Sequence, residues 1–463
     1  MSQDKKPIVR NRRELIEKGR DEAEKKARKD ILDIVEETIR AIDPYRLVKQ
    51  NLRLEEGYLI AGSRRIGLPD GGRVLLAGAG KACFAMAKAA AEVLGDRVWR
   101  GIFNVPTEPL EDLGSGFTFN VAGHPTPDQR GLRGAKMILE MAEEAKEGDV
   151  FIFLVSGGGS ALLPYPAPGI TLEDKKKLTS LLLASGASID QVNVVRKHVS
   201  RIKGGWLAKA AYPATVVSLI VSDVVGDPVE SIASGPTCPD PSTFSDCMKI
   251  VTDYGMLDEL PQSIRKRLEE GAAGRIPETP KPGDPVFERT ANLVIGNNRI
   301  ALEAARRKAE ELGYRSMILT DMMEGDAREI GVLVASIHSS ISRSGLPLSP
   351  PALVIMGGET TVTLTPNPGL GGRNQELALS ASRKIKERGL ILSLATDGRD
   401  GPTDSAGAIV DSRTLEEIRE AGMDPERQLA THSSYDALRK IGAHLFTGYT
   451  GTNVCDVVYV LVP

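Results

Sequence analysis

The stretch Val150-Phe151-Ile152-Phe153-Leu154-Val155-Ser156-Gly157-Gly158-Gly159-Ser160-Ala161-Leu162-Leu163 decides the fold class. Six apolar residues without alternation predict a strand buried on both faces, as in a parallel sheet covered by helices. Three glycines between two serines follow at once. Glycine tolerates positive φ and lets another group come close to the backbone. Successive amides in such a turn can form an anion-binding nest, so Ser156, Gly157, Gly158, Gly159 and Ser160 are candidate phosphate-binding residues. No Gly-Lys-Ser/Thr closes the loop, so it is not a Walker A loop. Pro164 forbids a long helix directly after Leu163. Read without a ligand, the same run is a tight strand-to-loop turn.

Strands and helices alternate outward from this stretch. Upstream, residues 74–77 read as a buried strand, Gly78-Ala79-Gly80-Lys81 as its turn and residues 82–94 as a helix. Short strands are expected at 101–105 and 117–121, and a helix at about 130–146 after Gly123-His124-Pro125-Thr126-Pro127-Asp128. Downstream, Thr171 with Asp174 resembles a capping box opening a helix to about residue 184. A helix over 188–203 and a buried strand over 215–222 follow, the latter running into Asp223. Such alternation predicts a parallel, three-layer α/β domain over residues 31–245. Residues 246–288, rich in proline and glycine, read as a linker or peripheral segment. Residues 289–463 read as a smaller α/β domain, with strands near 292–295, 316–320, 352–356, 360–364, 391–395, 408–410 and 457–462. Its long helices are expected near 299–312 and 327–342. Gly357-Gly358-Glu359 joins two of those strands directly, which predicts a mixed sheet. Residues 1–30 are mostly charged and read as a frayed tail or an exposed helix start. Helical spacing begins at Ile31, Val35 and Ile39, and Asp43-Pro44 ends it.

Composition narrows the function. The net charge of −3, from 59 basic and 62 acidic residues, argues against nucleic-acid and membrane-surface partners. No apolar segment approaches the roughly 20 residues that span a bilayer, and the charged N-terminus is unlike a secretory signal. Cys83, Cys238, Cys247 and Cys455 form no Cys-x-x-Cys pair, so neither a disulfide framework nor a zinc site is expected and a reducing cytoplasm fits.

Parallel strands present their carboxyl ends on one edge, and ligands bind there. That rule gathers Lys81, the loop 124–128, the glycine loop and the loop 223–227. The second domain offers Gly357-Gly358-Glu359-Thr360, Thr396-Asp397-Gly398-Arg399-Asp400-Gly401 and residues 447–453. Gly78-Ala79-Gly80 suggests a dinucleotide fingerprint, but Cys83 takes the third glycine's place. Lys81 is either a solvated lysine or an anion contact; Asp223 is a turn cap, a base or a metal ligand. His124 reads as a structural loop histidine, and Arg196, Lys197, His198, Arg201 and Lys203 as a solvated helix face. Asp397, Asp400 and Asp404 bind a cation or stabilise turns. Arg373 follows two glycines and opens a helix, so helix amides and a guanidinium fork are expected to converge on one anion. A lysine, an aspartate and an arginine around phosphate-type loops fit phosphoryl transfer, whose catalysis is chiefly positioning and charge stabilisation.

The set of motifs resembles the glycerate 2-kinase family, of the two-domain type whose C-terminal part is called the MOFRL domain. The resemblance rests on Gly-Ala-Gly-Lys at 78–81, His-Pro-Thr-Pro-Asp at 124–128, Ser-Gly-Gly-Gly-Ser at 156–160 and Ser-Asp-Val-Val-Gly-Asp at 222–227. It rests also on Ser-Gly-Pro-Thr at 234–237, Gly-Gly-Glu-Thr at 357–360, Gly-Gly-Arg-Asn-Gln-Glu at 371–376 and Thr-Asp-Gly-Arg-Asp-Gly at 396–401. It implies a Rossmann-like N-terminal domain, a smaller α/β C-terminal domain, and phosphorylation of D-glycerate at its 2-hydroxyl by ATP with Mg2+ in a cleft between the two. It implies Lys81, Asp223 and Arg373 as catalytic residues, with Lys81, Arg373, Asn374 and Glu359 on the substrate and Asp223 on the metal. The expected partners are small molecules, D-glycerate and ATP, with no nucleic acid, no membrane and a homodimer as the assembly. Two rival classes are an NAD(P)H-dependent hydroxypyruvate reductase and a non-catalytic sugar-acid binding protein.

Overall fold

The computed structural model describes residues 7–463 and divides into two compact units, Pro44–Gly296 and, up to Asp43, the N-terminal segment together with Asn297–Pro463. Its strands, in chain order, are β1 (Leu52–Glu55), β2 (Tyr58–Ala61), β3 (Arg64–Gly67), β4 (Val74–Ala79), β5 (Val98–Val105), β6 (Phe117–Val121), β7 (Val150–Val155), β8 (Thr215–Val221), β9 (Thr290–Gly296), β10 (Arg315–Met323), β11 (Ala352–Gly358), β12 (Leu390–Ala395), β13 (Gly407–Val410), β14 (His444–Leu445) and β15 (Asp456–Val462).

The first unit is built on a six-stranded sheet in the order β6-β5-β4-β7-β8-β9, parallel throughout. Every residue of β4 and β7 is buried, as their unbroken apolar runs require. Alternate residues divide between the two faces. Leu75, Ala77, Phe151 and Phe153 join one core with Ile138 and Leu139 of the helix Gln129–Glu143. On the opposite face, Cys83 at the start of the helix Cys83–Leu94 lies against Gly78 and Leu154. The small antiparallel meander β1-β2-β3 is an element the sequence reading lacks.

The second unit carries a mixed sheet, β10-β11-β15-β12-β13-β14. β10 and β11 run parallel, and every other neighbouring pair is antiparallel. Val458, Val460 and Val462 of β15 face a core shared with the helices Ala327–Ser344 and Arg373–Ser382. Tyr459 faces the other way, where its hydroxyl meets Thr38 at 2.9 Å.

Three expected boundaries change. Residues 246–288 are no linker. The helices Phe244–Asp253 and Gln262–Ala272 bury Phe244, Val251, Ile264 and Leu268 in a core with Val192 and Val195 of the first unit. β9, expected in the second domain, pairs with β8 and completes the first sheet. Met1–Lys6 lie outside the described residues, and from residue 7 onward the N-terminal segment is not a frayed tail. The helix Glu22–Ala41 buries Ile31, Ile34, Val35 and Ile39 in the second unit, with Arg28 paired to Asp411 and Asp30 to the Tyr314 hydroxyl. Residues 360–364 form no strand, because β10 and β15 already occupy both edges of β11. The sheet is mixed through β15, not through a hairpin at Gly357-Gly358. Among the described residues no helix is long and apolar enough to cross a membrane.

Candidate active site

Because β4 and β7 pair in register, Ala79 stands beside Val155, and the loops that follow leave the sheet side by side. They are laced together. The Lys81 amide donates to the Gly157 carbonyl at 2.9 Å, and the Ala82 amide to the Ser156 hydroxyl at 3.0 Å. A Cβ at Gly80 would lie 2.2 Å from Ser156 Oγ, so the approach requires glycine. Ser156 therefore positions the Lys81 loop through its hydroxyl, which accepts the Ala82 amide.

The glycine loop turns at Gly158, with φ of +87°, into a single helical turn, Gly159–Leu162, that ends before Pro164. It is seated between two side chains. A Cβ at Gly157 would lie 2.2 Å from Asp223 Oδ2, and one at Gly158 would lie 2.8 Å from the His124 ring. Among the described residues the amides of Gly157 and Gly158 meet no acceptor, which leaves two donors for an anion. Burial, and then the charge of Lys81, lower the pKa of His124, so a neutral imidazole borders the loop at neutral pH. The structure thus gathers Lys81, His124, Asp223 and residues 156–160 on one sheet edge. His124, read from sequence as merely structural, is one of the group.

The second unit arranges its predicted residues differently. Arg373 opens the helix Arg373–Ser382 and is half-buried. Its Nε and one terminal nitrogen grip the two oxygens of Asp456, at 2.5 and 3.0 Å, and its other terminal nitrogen pairs with Glu359. The helix amides do not share that anion: Asn374 and Gln375 donate their N–H groups to Asp400, at 3.0 and 2.9 Å. The expected convergence on one external anion is therefore replaced by three internal carboxylates, Asp456 and Glu359 on the guanidinium and Asp400 on the amides. Burial would lower the Arg373 pKa, but Asp456 and Glu359 hold it above its ordinary value. Burial pushes the Asp456 carboxyl up, against the pull of Arg373; with both its oxygens on the guanidinium we take the pair as ionised.

Asn374 is buried, donating to Asp400 and accepting from Ser393. This is a structural place, not the substrate contact expected of it. Glu359 and Arg373 instead border an open cavity of about 460 Å3 with Gly372 and His432. The three aspartates of 397–404 do not converge on a cation: Asp397 accepts from the Arg399 amide, Asp400 caps the helix and Asp404 accepts from the Tyr435 hydroxyl. Among the described residues no group of three or more His, Cys, Asp and Glu is placed to hold a metal. The run at 196–203 is no solvated face either, since Lys197 and His198 are buried beside Asp240, and Lys203 is buried too.

Residues 30–269 match a domain of unknown function, DUF4147, and residues 352–456 match the MOFRL family. A glycerate 2-kinase of Pyrococcus horikoshii is 43% identical over 93% of this chain and 96% of its own. A putative hydroxypyruvate reductase of Agrobacterium vitis is 42% identical over 84% of this chain and 87% of its own. The crystal structure of a glycerate kinase from Thermotoga maritima, 41% identical, superposes with a TM-score of 0.83 over 94% of this chain and 99% of that one.

Proposed function

This chain belongs to the glycerate kinase family, and from that premise we propose that it transfers the γ-phosphoryl group of ATP to the 2-hydroxyl of D-glycerate, giving 2-phosphoglycerate and ADP. The observation that carries the reading is the seating of Asp223 against Gly157, within a loop that offers two amides to an anion. Asp223 takes the proton of the 2-hydroxyl as the new O–P bond forms and the bond from the γ-phosphorus to the bridging oxygen breaks. Lys81 and the amides of Gly157 and Gly158 offset charge on the phosphoryl oxygens. Neutral His124 borders the same loop at Gly158.

Magnesium fits this donor set. Mg2+ is commonly held by one or two carboxylates together with substrate phosphates, not by a protein cage, and Asp223 is the carboxylate beside the loop. Bound there, the ion would neutralise phosphate charge. We assign Arg373 to the substrate carboxylate: Asp456 and Glu359 use three of its five N–H groups, and two remain to donate. The four cysteines are buried and form no Cys-x-x-Cys pair, which suits a reducing cytoplasm.

Incubation with D-glycerate, ATP and Mg2+ should yield 2-phosphoglycerate by phosphorus NMR, and the product should be consumed directly by enolase. A product that enolase accepts only after phosphoglycerate mutase would overturn the regiochemistry. The name of the Agrobacterium relative makes NADH oxidation with hydroxypyruvate the necessary control. No turnover is expected, because Cys83, packed against Gly78, stands where a dinucleotide fingerprint needs its third glycine.

A further inference from the structure

The helix Leu172–Ala184 buries Leu172, Lys175, Leu178 and Leu182 on one stripe. A lysine thus occupies a position that helical spacing would give to leucine. Lys175 is 8% exposed, and its ammonium has no hydrogen-bond partner. Beside it stand Lys203, 2% exposed, and half-buried Arg196. Lys203 reaches only backbone carbonyls, of Ser160 at 3.2 Å and Ala233 at 3.0 Å. All three cations line one pocket of about 380 Å3, whose wall also includes Pro125, Thr126 and Ser160. Thr126 follows His124 by two residues, and Ser160 ends the glycine loop, so this pocket opens on the site already described.

Among the described residues no carboxylate pairs with any of the three. Glu173 pairs with Lys176 on the exposed side, and Asp174 caps its own helix. Burial and the neighbouring Arg196 push Lys175 down to about 7, and burial holds Lys203 well below its ordinary range. Three like charges, partly desolvated and without an acid, oppose folding. What compensates such a cluster is an anion that arrives later and carries several charges.

We infer that this pocket is the polyphosphate subsite of the nucleotide donor, where Lys175, Arg196 and Lys203 hold the non-transferred phosphates. The glycine loop joins the two halves of the donor site. Gly157 touches Asp223, and three residues on, Ser160 touches Lys203. The terminal phosphate is thereby turned toward the base, and the rest of the chain of phosphates runs into the cationic pocket. That the anion is a nucleotide rests on the kinase reading above; that the pocket takes a polyanion does not.

The test uses the full chain and calorimetric binding of ADP, inorganic tripolyphosphate and D-glycerate. Lys175→Met keeps the length and apolar stem but removes the charge. It should weaken both ADP and tripolyphosphate by about tenfold or more, the loss of one charge-assisted hydrogen bond, and leave D-glycerate unchanged. The unliganded variant should melt higher than the wild type, a result that a purely structural lysine would reverse. Arg196→Gln, on the pocket's other side, should weaken the same two ligands. Unchanged ADP and tripolyphosphate affinity in Lys175→Met, with wild-type glycerate kinase activity intact, would overturn the subsite and spare the kinase reading. Loss of D-glycerate affinity instead would assign the pocket to the acceptor and equally overturn it. If the wild type neither binds ADP nor phosphorylates glycerate but binds tripolyphosphate through Lys175, the kinase reading fails and the polyanion pocket stands.

Discussion

Lys175, Lys203 and Arg196 in the parallel-sheet unit carry their charges into a pocket without an acid, whereas Arg373 in the mixed-sheet unit is held by Asp456 and Glu359. Sequence alone does not separate them: Lys175 and Arg196 lie in charged helical runs, and Arg373 follows two glycines at a helix start. Their energetics are opposite. An unpaired buried cation destabilises the empty protein and gains on binding an anion. A cation already paired with two carboxylates, one of them fully buried, secures the fold around it. The first region is built for a ligand it must still acquire, and the second brings most of its counter-charge with it.

Substitution of Asp223 gives the largest separation between the two. Asp223→Asn keeps shape and removes the base. It should lower kcat by about 10²- to 10⁴-fold, with little change in glycerate KM and an unchanged melting temperature. Steady-state kinetics with circular dichroism decide, and near-normal kcat would remove Asp223 from the chemistry.

The same kind of change at Arg373 should act first on stability. Arg373→Met leaves Asp456, 1% exposed, without its partner, and loss of one member of a buried pair costs about 3–5 kcal/mol. Urea unfolding should show that loss, and adding Asp456→Asn should recover part of it, since residues in contact do not act additively. Arg373→Lys keeps the charge but not the two-pronged grip, and should raise glycerate KM more than it lowers kcat if the remaining N–H groups hold the substrate carboxylate. A stable Arg373→Met protein would erase the contrast between the two regions.

Gly157→Ala sharpens the contrast from within the first region. Its Cβ would stand 2.2 Å from Asp223 Oδ2, so the carboxylate must move by more than an ångström, a displacement that can cost roughly 10²-fold in rate. The expected signature is a fall in kcat with binding of tripolyphosphate retained. Retained kcat would show that the carboxylate does not work from the position seen here.

The sheets were largely legible because unbroken apolar runs such as 74–77 and 150–155 have no other stable use than a doubly covered strand. So was the set of loops on the first sheet's edge, since parallel strands align their ends. What stayed hidden depends on long-range partners. Residues 292–295 read as a strand, but nothing in them says which sheet it joins. The N-terminal segment was obscured by its charges, although Ile31, Ile34 and Val35 are fully buried and Arg28 finds Asp411 far along the chain. Arg373 and its glycines suggested an empty anion site because Asp400 and Asp456, which fill it, lie 27 and 83 residues away. Lys175 was lost in the run Lys175-Lys176-Lys177, which resembles a solvated face. A signal was present: Leu172, Lys175 and Leu178 stand three apart on one helical stripe, and only Lys175 of the three lysines shares it.

The smallest predicted effect is in pH, and it rests on that lysine. Lys175 is held near 7 by burial and by Arg196, while Glu173 and Asp174 are engaged elsewhere. If the protonated ammonium is the form that binds polyphosphate, ADP affinity through this residue should fall by up to about tenfold between pH 6 and pH 8. The phosphates of ADP titrate in the same range, so the quantity to follow is the difference between wild type and Lys175→Met, in which ligand protonation cancels. Stability must move the other way. A base with a depressed folded pKa binds fewer protons folded than unfolded between that pKa and its ordinary value, so its contribution improves as pH rises from about 7 towards 10 and the destabilisation is complete below 7. The extra stability of Lys175→Met over wild type should therefore be greatest in mild acid and vanish in base. One substitution thus has two opposed pH signatures, tighter wild-type binding and weaker wild-type folding on the acid side. Urea midpoints and calorimetric affinities measured at pH 6, 7 and 8 should show both. Parallel, pH-independent differences in the two measurements would mean that the Lys175 charge does not change over this range, and that the contrast between an unpaired and a paired cation is weaker than the geometry makes it.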